Sequence, residues 1–198
     1  MVDREGRDRV ESKMHRIALL CVTISCFIRM AAFGATETTD WQSPFEAKVS
    51  PDGKWLAVSD RTAGMLLVVD PLKAKVVKEA SGLNQPAGVV LGLNGQVLVS
   101  EYASQTVAEV DAANGQVVRR ITVGHGPMGL AVAPKKNFLI VCNSNSNDIS
   151  LVDIESAKEK ARIPVVRQPS FVAVHSPRNE FVRVVRKLNL RTIWNWDI

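Results

Sequence analysis

The sequence predicts an all-β fold, a β-propeller built from four-stranded antiparallel blades of 41–42 residues, with about 3.5 blades present and the ring incomplete. Three observations carry this. Prolines fall at Pro44, Pro86, Pro127 and Pro169, in steps of 42, 41 and 42 residues. Aspartates fall at Asp70, Asp111 and Asp153, in steps of 41 and 42. Between these markers lie four short apolar runs separated by polar turns. Two independent markers with one period, and four strands per period, describe propeller blades.

The chain opens outside the repeat. Residues 2–13 mix Asp, Glu, Arg and Lys, and Met14 competes with Met1 as the true start. From Met14 a short basic region (His15, Arg16) leads into an apolar run over 17–28 and a small-residue exit. This order is that of a secretory signal peptide, with Ala32 and Gly34 at the −3 and −1 positions of a cleavage site. The run is too short for a comfortable membrane span. An uncleaved anchor and lipid attachment at Cys26 are the competing readings, although Thr23 and Ile24 fit a lipid-attachment box poorly. The expected organisation is a charged prefix and signal peptide over 1–34 and a linker over 35–42. Blades follow at 43–84, 85–126 and 127–166, then a partial blade at 167–185 and an irregular tail at 186–198 carrying Trp194 and Trp196. The mature protein is expected in the periplasm, outside the cell or at its surface, with no stable membrane span.

Each blade strand has its own reading. The first follows the proline, at 87–91, 128–133 and 170–174, nearly continuously apolar with small residues such as Gly88, Gly129 and Ala173. Such runs suit the innermost, crowded strand, and a proline at its start costs no ladder donor. The first hairpin turns at Asp52-Gly53, Asn94-Gly95 and residues 134–137; Asp-Gly and Asn-Gly supply the positive φ that tight hairpins need. Second strands lie at 55–59, 97–100 and 138–142, third strands at 65–69, 107–110 and 149–152. The aspartate that follows is expected to cap the next turn with its side chain. Fourth strands at 75–79, 116–123 and 158–165 alternate charged with apolar residues, as an outer, half-exposed strand does. The fourth unit begins at Pro169, turns at residues 177–179 and continues over 181–185, where the pattern stops.

The third unit carries a family resemblance. Val141-Cys142-Asn143, the Ser/Asn-rich turn 144–148, the strand ending at Asp153 and Ile163-Pro164-Val165 resemble the bacterial YVTN-type β-propeller repeat. Ile121-Thr122-Val123-Gly124 and Pro51-Asp52-Gly53 match its closing element and its first turn. The resemblance covers about residues 43–185. It departs at Asp60 and Glu101, where the family places Asn, and at Leu83-Asn84-Gln85, where it places a Gly-containing turn. Relatives of that repeat include surface-layer proteins, cytochrome d1-like haem domains and propellers partnered with di-haem peroxidases. The resemblance therefore implies a fold more sharply than a function.

Charge and cysteine narrow the function classes. Residues 1–35 hold six basic and four acidic residues of the chain's 25 and 20, and residues 178–198 hold five and two. The repeat region is left with 14 of each sign, without the basic footprint of a nucleic-acid binder. Cys21 and Cys26 lie in the signal segment, so the mature chain keeps only Cys142 and no internal disulfide framework. No C-x-x-C-H occurs for covalent haem. Cys142 aligns with Ser59 and Ser100, where a small residue is wanted for packing, and reads as a buried structural thiol.

Candidate ligand-binding residues lie on the loops expected to ring the channel entrance: Gln85, His125, Arg167 and Gln168 beside the prolines, and Asp60, Glu101, Tyr102 and Asn143 at second-strand ends. His125 sits between two glycines that permit close approach, and its imidazole is a candidate ligand for a metal or haem iron; an exposed loop histidine is the plainer reading. His175 reads as structural. Asp60 with Glu101 is a candidate Ca²⁺ pair across neighbouring blades, against two solvated strand ends. No arrangement singles out a catalytic nucleophile, a metal centre or a required cofactor. The expectation is a secreted or periplasmic propeller acting as a non-catalytic binding or protein-interaction scaffold, with a protein partner or a homodimer completing the ring. The alternative is a piece of a redox-enzyme propeller, cytochrome d1-like or peroxidase-associated. The incomplete ring has three readings, a fragment of a longer gene, two chains closing a ring together, or a short curved array, and the abrupt break of the pattern in the tail favours the fragment.

Overall fold

The computed structural model describes residues 42–92, 95–133, 137–165, 167–175, 181–186 and 193–195. The segment read as a signal peptide, most of that read as a linker, residues 93–94, 134–136 and 177–179 read as turns, and Trp196 lie outside them. The first blade is β1 (Pro44–Val49), β2 (Leu56–Asp60), β3 (Met65–Asp70) and β4 (Lys75–Ala80). The second is β5 (Pro86–Leu91), β6 (Val97–Glu101), β7 (Thr106–Asp111) and β8 (Gln116–Thr122). The third is β9 (Pro127–Ala133), β10 (Phe138–Asn143), β11 (Asp148–Asp153) and β12 (Lys158–Pro164). Each is a four-stranded antiparallel meander in sequence order. The fourth sheet holds β13 (Pro169–His175), β14 (Phe181–Arg186) and β15 (Ile193–Asn195).

The last strand lies beyond the point where the sequence pattern stops. In the segment read as an irregular tail, β15 pairs with β14 at Phe181↔Asn195, Val182↔Trp194 and Arg183↔Ile193. The β-branched and aromatic pair Ile193-Trp194 favours a strand without the turn and aspartate that mark the third strand in the other units. Trp194 thus belongs to the blade's own sheet.

The first strands β1, β5, β9 and β13 neighbour one another in succession, so they form the inner line of an arc. The ring is not closed. Blades pack face to face, and the period of two explains their apolar runs. Val97 and Val99 of β6 face the first blade, joining Ala57, Leu66, Val89 and Val110. Leu98, between them, faces the third blade with Val107, Ile121, Leu139 and Val141. A third cluster joins Ile140, Cys142 and Ile149 to Val172 and Val174 of the fourth blade. Inner blades bury both sheet faces, and alternation vanishes from their sequence. It survives in the outer strands: β8 and β12 alternate exposed with half-buried positions over most of their length.

Turns repeat as faithfully as strands. The Asp70 carboxylate accepts from the backbone N–H groups of Leu72 and Lys73, Asp111 from Ala113 and Asp153 from Ser156. The expected turn caps are therefore present. The Lys73 N–H holds the Asp70 carboxyl below its usual value, and the Ser156 N–H does the same for Asp153. Positive φ recurs at equivalent places in every turn: Gly53, Gly95 and Asn137; Gly64, Gln105 and Asn147; Ala74, Gly115 and Ala157; Gln85, Gly126 and Gln168.

Candidate functional site

The loops after the second strands and before the first strands gather at one end of the arc. The candidate residues divide there into two groups. Asp60, Glu101 and Asn143 are buried, at 1%, 0% and 0% exposure. Gln85, His125, Arg167 and Gln168 are exposed.

In the buried group Glu101 holds the segment between the first two blades, while Asp60 and Asn143 bond within their own blades. Asp60 Oδ1 accepts from the Ser43 and Ala63 N–H groups at 3.1 and 3.0 Å. Glu101 Oε1 accepts from the Asn84 N–H at 3.1 Å, and Oε2 accepts from Thr106 Oγ1 at 2.7 Å and Arg120 Nε at 2.8 Å. Arg120 also donates to the Gly82 carbonyl at 3.0 Å, fixing the segment between the first two blades. A carboxylate taken out of water is stable only when paired and hydrogen-bonded, and Glu101 is both.

In the third blade the charge has moved. Asn143 occupies the place of Glu101 and donates Nδ2 to Asp148 Oδ1 and Ser150 Oγ, each at 2.7 Å. Asp148 stands where Thr106 stands in the second blade. Asn143 Oδ1 is buried without a partner among the described residues. The His125 N–H, equivalent to the Asn84 N–H that reaches Glu101, donates instead to Ser146 Oγ at 3.1 Å.

The exposed group is held by its backbone. The Gln85 carbonyl accepts from the Tyr102 N–H at 3.2 Å. The His125 carbonyl accepts from the Asn145 and Ser146 N–H groups at 3.0 and 3.4 Å. The Gln168 N–H donates to Asn147 Oδ1 at 2.8 Å. These bonds leave the His125 and Arg167 side chains on the surface.

A row of side chains crosses three blades at this end. The Arg61 guanidinium lies 4.5 Å from the Tyr102 ring centre and 5.5 Å from that of Phe45. Tyr102 Oη donates to Asn145 Oδ1 at 3.1 Å. Sequence reasoning placed Tyr102 among the loop residues and missed Arg61, Phe45 and Asn145. The available signal was position, since Arg61 follows Asp60 as Tyr102 follows Glu101. Among the described residues no three of His, Cys, Asp and Glu converge to hold a metal ion.

A second feature escaped the sequence. Ser59 Oγ accepts from the Glu46 N–H at 3.1 Å and donates to the Ala87 carbonyl of the next blade at 2.6 Å. Ser100 Oγ accepts from the Gly88 N–H at 2.8 Å and donates to the Met128 carbonyl at 2.7 Å. The position is a hydroxyl staple between blades, beyond a need for a small side chain. Cys142 fills it in the third blade; it is fully buried, and burial pushes its thiol up to about 12.

Comparisons with known proteins agree with this architecture. The Mycobacterium tuberculosis PE-PGRS family protein PE_PGRS18 is 37% identical over 54 residues, 27% of this chain and 12% of that protein. Kuenenia stuttgartiensis hydrazine synthase superposes with a TM-score of 0.69 at 26% identity, over 77% of this chain and 44% of that one. A protein of unknown function from Desulfotomaculum acetoxidans gives a TM-score of 0.61 at 18% identity, over 72% and 49%, and speaks to the fold alone. The chain spans less than half the length of each of these three proteins. Residues 24–177 match a family described as lactonase, 7-bladed β-propeller, and the chain belongs to that family.

Proposed function

We propose that this chain is a binding or protein-interaction scaffold of the YVTN-repeat type, without catalysis of its own, acting in the periplasm or outside the cell. One observation carries the reading: the buried carboxylates Asp60 and Glu101, which a propeller could offer to chemistry, are engaged within the fold. Glu101 is spent on Asn84, Thr106 and Arg120, and Asp60 on Ser43 and Ala63. The same end of the arc presents the Phe45–Arg61–Tyr102–Asn145 row, with His125 and Arg167 exposed beside it. An arginine stacked between two aromatic rings, flanked by amide and hydroxyl groups, is the composition of a protein-contact surface. The signal segment before Ala35 supports export, and N-terminal sequencing of the cell-derived protein should read from Ala35.

The test separates scaffold from enzyme. Purified protein with Ca²⁺ supplied is assayed for opening of a panel of lactones, and no turnover above buffer is expected. Turnover that disappears in Glu101→Gln overturns the scaffold reading. A second reading, a propeller belonging to a redox enzyme, is favoured by the likeness to hydrazine synthase. Expression with haem supply followed by a Soret band that is lost in His125→Ala would establish it in place of the first.

A further inference from the structure

We infer that the end of the arc carrying the Arg61–Tyr102–Asn145 row is a docking surface for an acidic, extended segment of a partner protein, with Arg61 as the group that takes its carboxylate. This deepens the scaffold reading and rests on it, naming the chemistry of the partner.

The repeat itself builds the row. After each second strand the chain is tied back to the residue before the repeat proline. The Arg61 N–H donates to the Ser43 carbonyl at 3.0 Å, the Tyr102 N–H to the Gln85 carbonyl at 3.2 Å and the Ser144 N–H to the Gly126 carbonyl at 2.9 Å. Arg61 and Tyr102 therefore stand at equivalent places on neighbouring blades, and Asn145 lies one residue past that place on the third. The guanidinium carbon of Arg61 is 4.5 Å from the Tyr102 ring centre, and Tyr102 Oη donates to Asn145 Oδ1 at 3.1 Å. Asn145 is seated against Gly126, where a Cβ would come within 2.7 Å of its amide. These contacts are set by the packing of the first three blades on one another. The three side chains are in place before a ligand arrives, which lowers the ordering cost of binding.

Charge decides what docks. The carboxylates at this end are turned into the fold: Asp60 and Glu101 accept backbone N–H groups, and Asp148, only 8% exposed, accepts from Asn143 Nδ2. Among the described loop residues here, the charges that reach solvent are half-buried Arg61 and exposed Arg167, with the His125 imidazole exposed beside them. Arg119, Arg120 and Arg162 are each paired with a glutamate, whereas Arg61 pairs with no carboxylate among the described residues. The opposite end shows both signs on its surface, Lys54 with Asp52 and Lys73 with Asp70. A guanidinium lying over an aromatic ring keeps its N–H groups in a planar fork that matches a carboxylate. A segment bearing several carboxylates can set one on Arg61 and another on Arg167, with its peptide groups beside Tyr102 and Asn145. A neutral or basic segment gains neither pair, so the surface discriminates against it. Two arginines fit a short acidic segment, whereas a nucleic acid needs a broad basic footprint that the repeat region lacks.

The experiment is fluorescence anisotropy on the full chain as the cell processes it. The probes are a labelled peptide of alternating Glu and Gly, its Gln counterpart and an oligothymidylate of the same length. The Glu peptide should bind about tenfold more tightly than the Gln peptide. Arg61→Ala should weaken Glu-peptide binding about tenfold, as loss of a central arginine does. Arg61→Lys keeps the charge and the stem over Tyr102 but loses the fork, and should still weaken binding several-fold; it keeps the test decisive if Arg61→Ala fails to fold. Lys73→Ala, at the opposite end, should leave binding unchanged. Equal binding of the Glu and Gln peptides, binding of neither, or tighter binding of the oligothymidylate overturns the proposal. So does a loss in Lys73→Ala as large as that in the Arg61 variants, or no loss in either Arg61 variant. None of these results touches the scaffold reading, which falls only to the lactone turnover or the haem band described above.

Discussion

The Ser100 hydroxyl donates to the Met128 carbonyl across the boundary between the second and third blades, at 2.7 Å, while accepting from the Gly88 N–H of its own blade. The bond is part-buried and repeats, fully buried, at Ser59 and Ala87. Removing it leaves a carbonyl and an N–H without partners. Ser100→Ala should therefore destabilise the protein by about 1–3 kcal/mol, read from the midpoint of urea unfolding. An unchanged midpoint would show that the staple contributes nothing.

Cys142 fills the third such position as a thiol. Its folded-state value of about 12 stands above the ordinary thiol value of 9.0 because of burial. The native protein therefore holds a proton that the unfolded chain releases, and stability should fall as pH rises from about 9 towards about 12. Cys142→Ser should remove this slope and let a hydroxyl reach towards the Ser170 carbonyl. Native Cys142 should also resist thiol reagents at pH 8 and react fully in urea.

Arg120 is the cation that compensates buried Glu101 and holds the Gly82 carbonyl. Arg120→Ala removes two bonds to a carboxylate that stays buried. The expected loss is about 2–3 kcal/mol, since hydrogen bonds to charged groups are worth more than neutral ones. The double variant Arg120→Ala with Glu101→Gln should recover part of that loss in equilibrium unfolding.

Gly88 has no room for a side chain, because a Cβ there would meet the Met128 carbonyl backbone. Gly88→Ala should separate the second and third blades and cost about 1–3 kcal/mol by overpacking. The drop should appear in thermal unfolding and as increased proteolysis.

Ala74 and Ala157 stand at φ values of 50° and 54°, where the second blade has Gly115. L residues other than Gly are strained there. Ala74→Gly and Ala157→Gly should each stabilise the protein by up to about 1 kcal/mol after the greater unfolded-state freedom of glycine is subtracted. A lower melting temperature in both variants would contradict this.

The blades were legible in the sequence because prolines, aspartates and alternating strands are local features, and each is dictated by a backbone need inside one unit. The contacts between blades were not. Ser59 and Ser100 read only as small residues, since nothing in a single unit shows a carbonyl arriving from the next. Asp60, Glu101 and Asn143 read as loop residues open to a ligand. Their burial depends on Ser43, Asn84 and Asp148, distant in sequence or arranged differently in each blade. The last strand was missed for the opposite reason: β15 lacks the local aspartate and turn that mark its equivalents.

The exchange between Glu101 with Thr106 and Asn143 with Asp148 has a consequence for how such repeats diverge. Arg120 and Arg162 occupy the same place in their blades, opposite Ala108 and Ser150, but Arg120 bonds Glu101 whereas Arg162 bonds Glu159, and the buried carboxylate moves from the second strand to the third. A single residue transplanted between these blades would yield two facing carboxylates or none. Between the second and third blades both positions of the pair have changed together. Grafting or shuffling of its blades should succeed when whole polar sets travel together and fail when they are split.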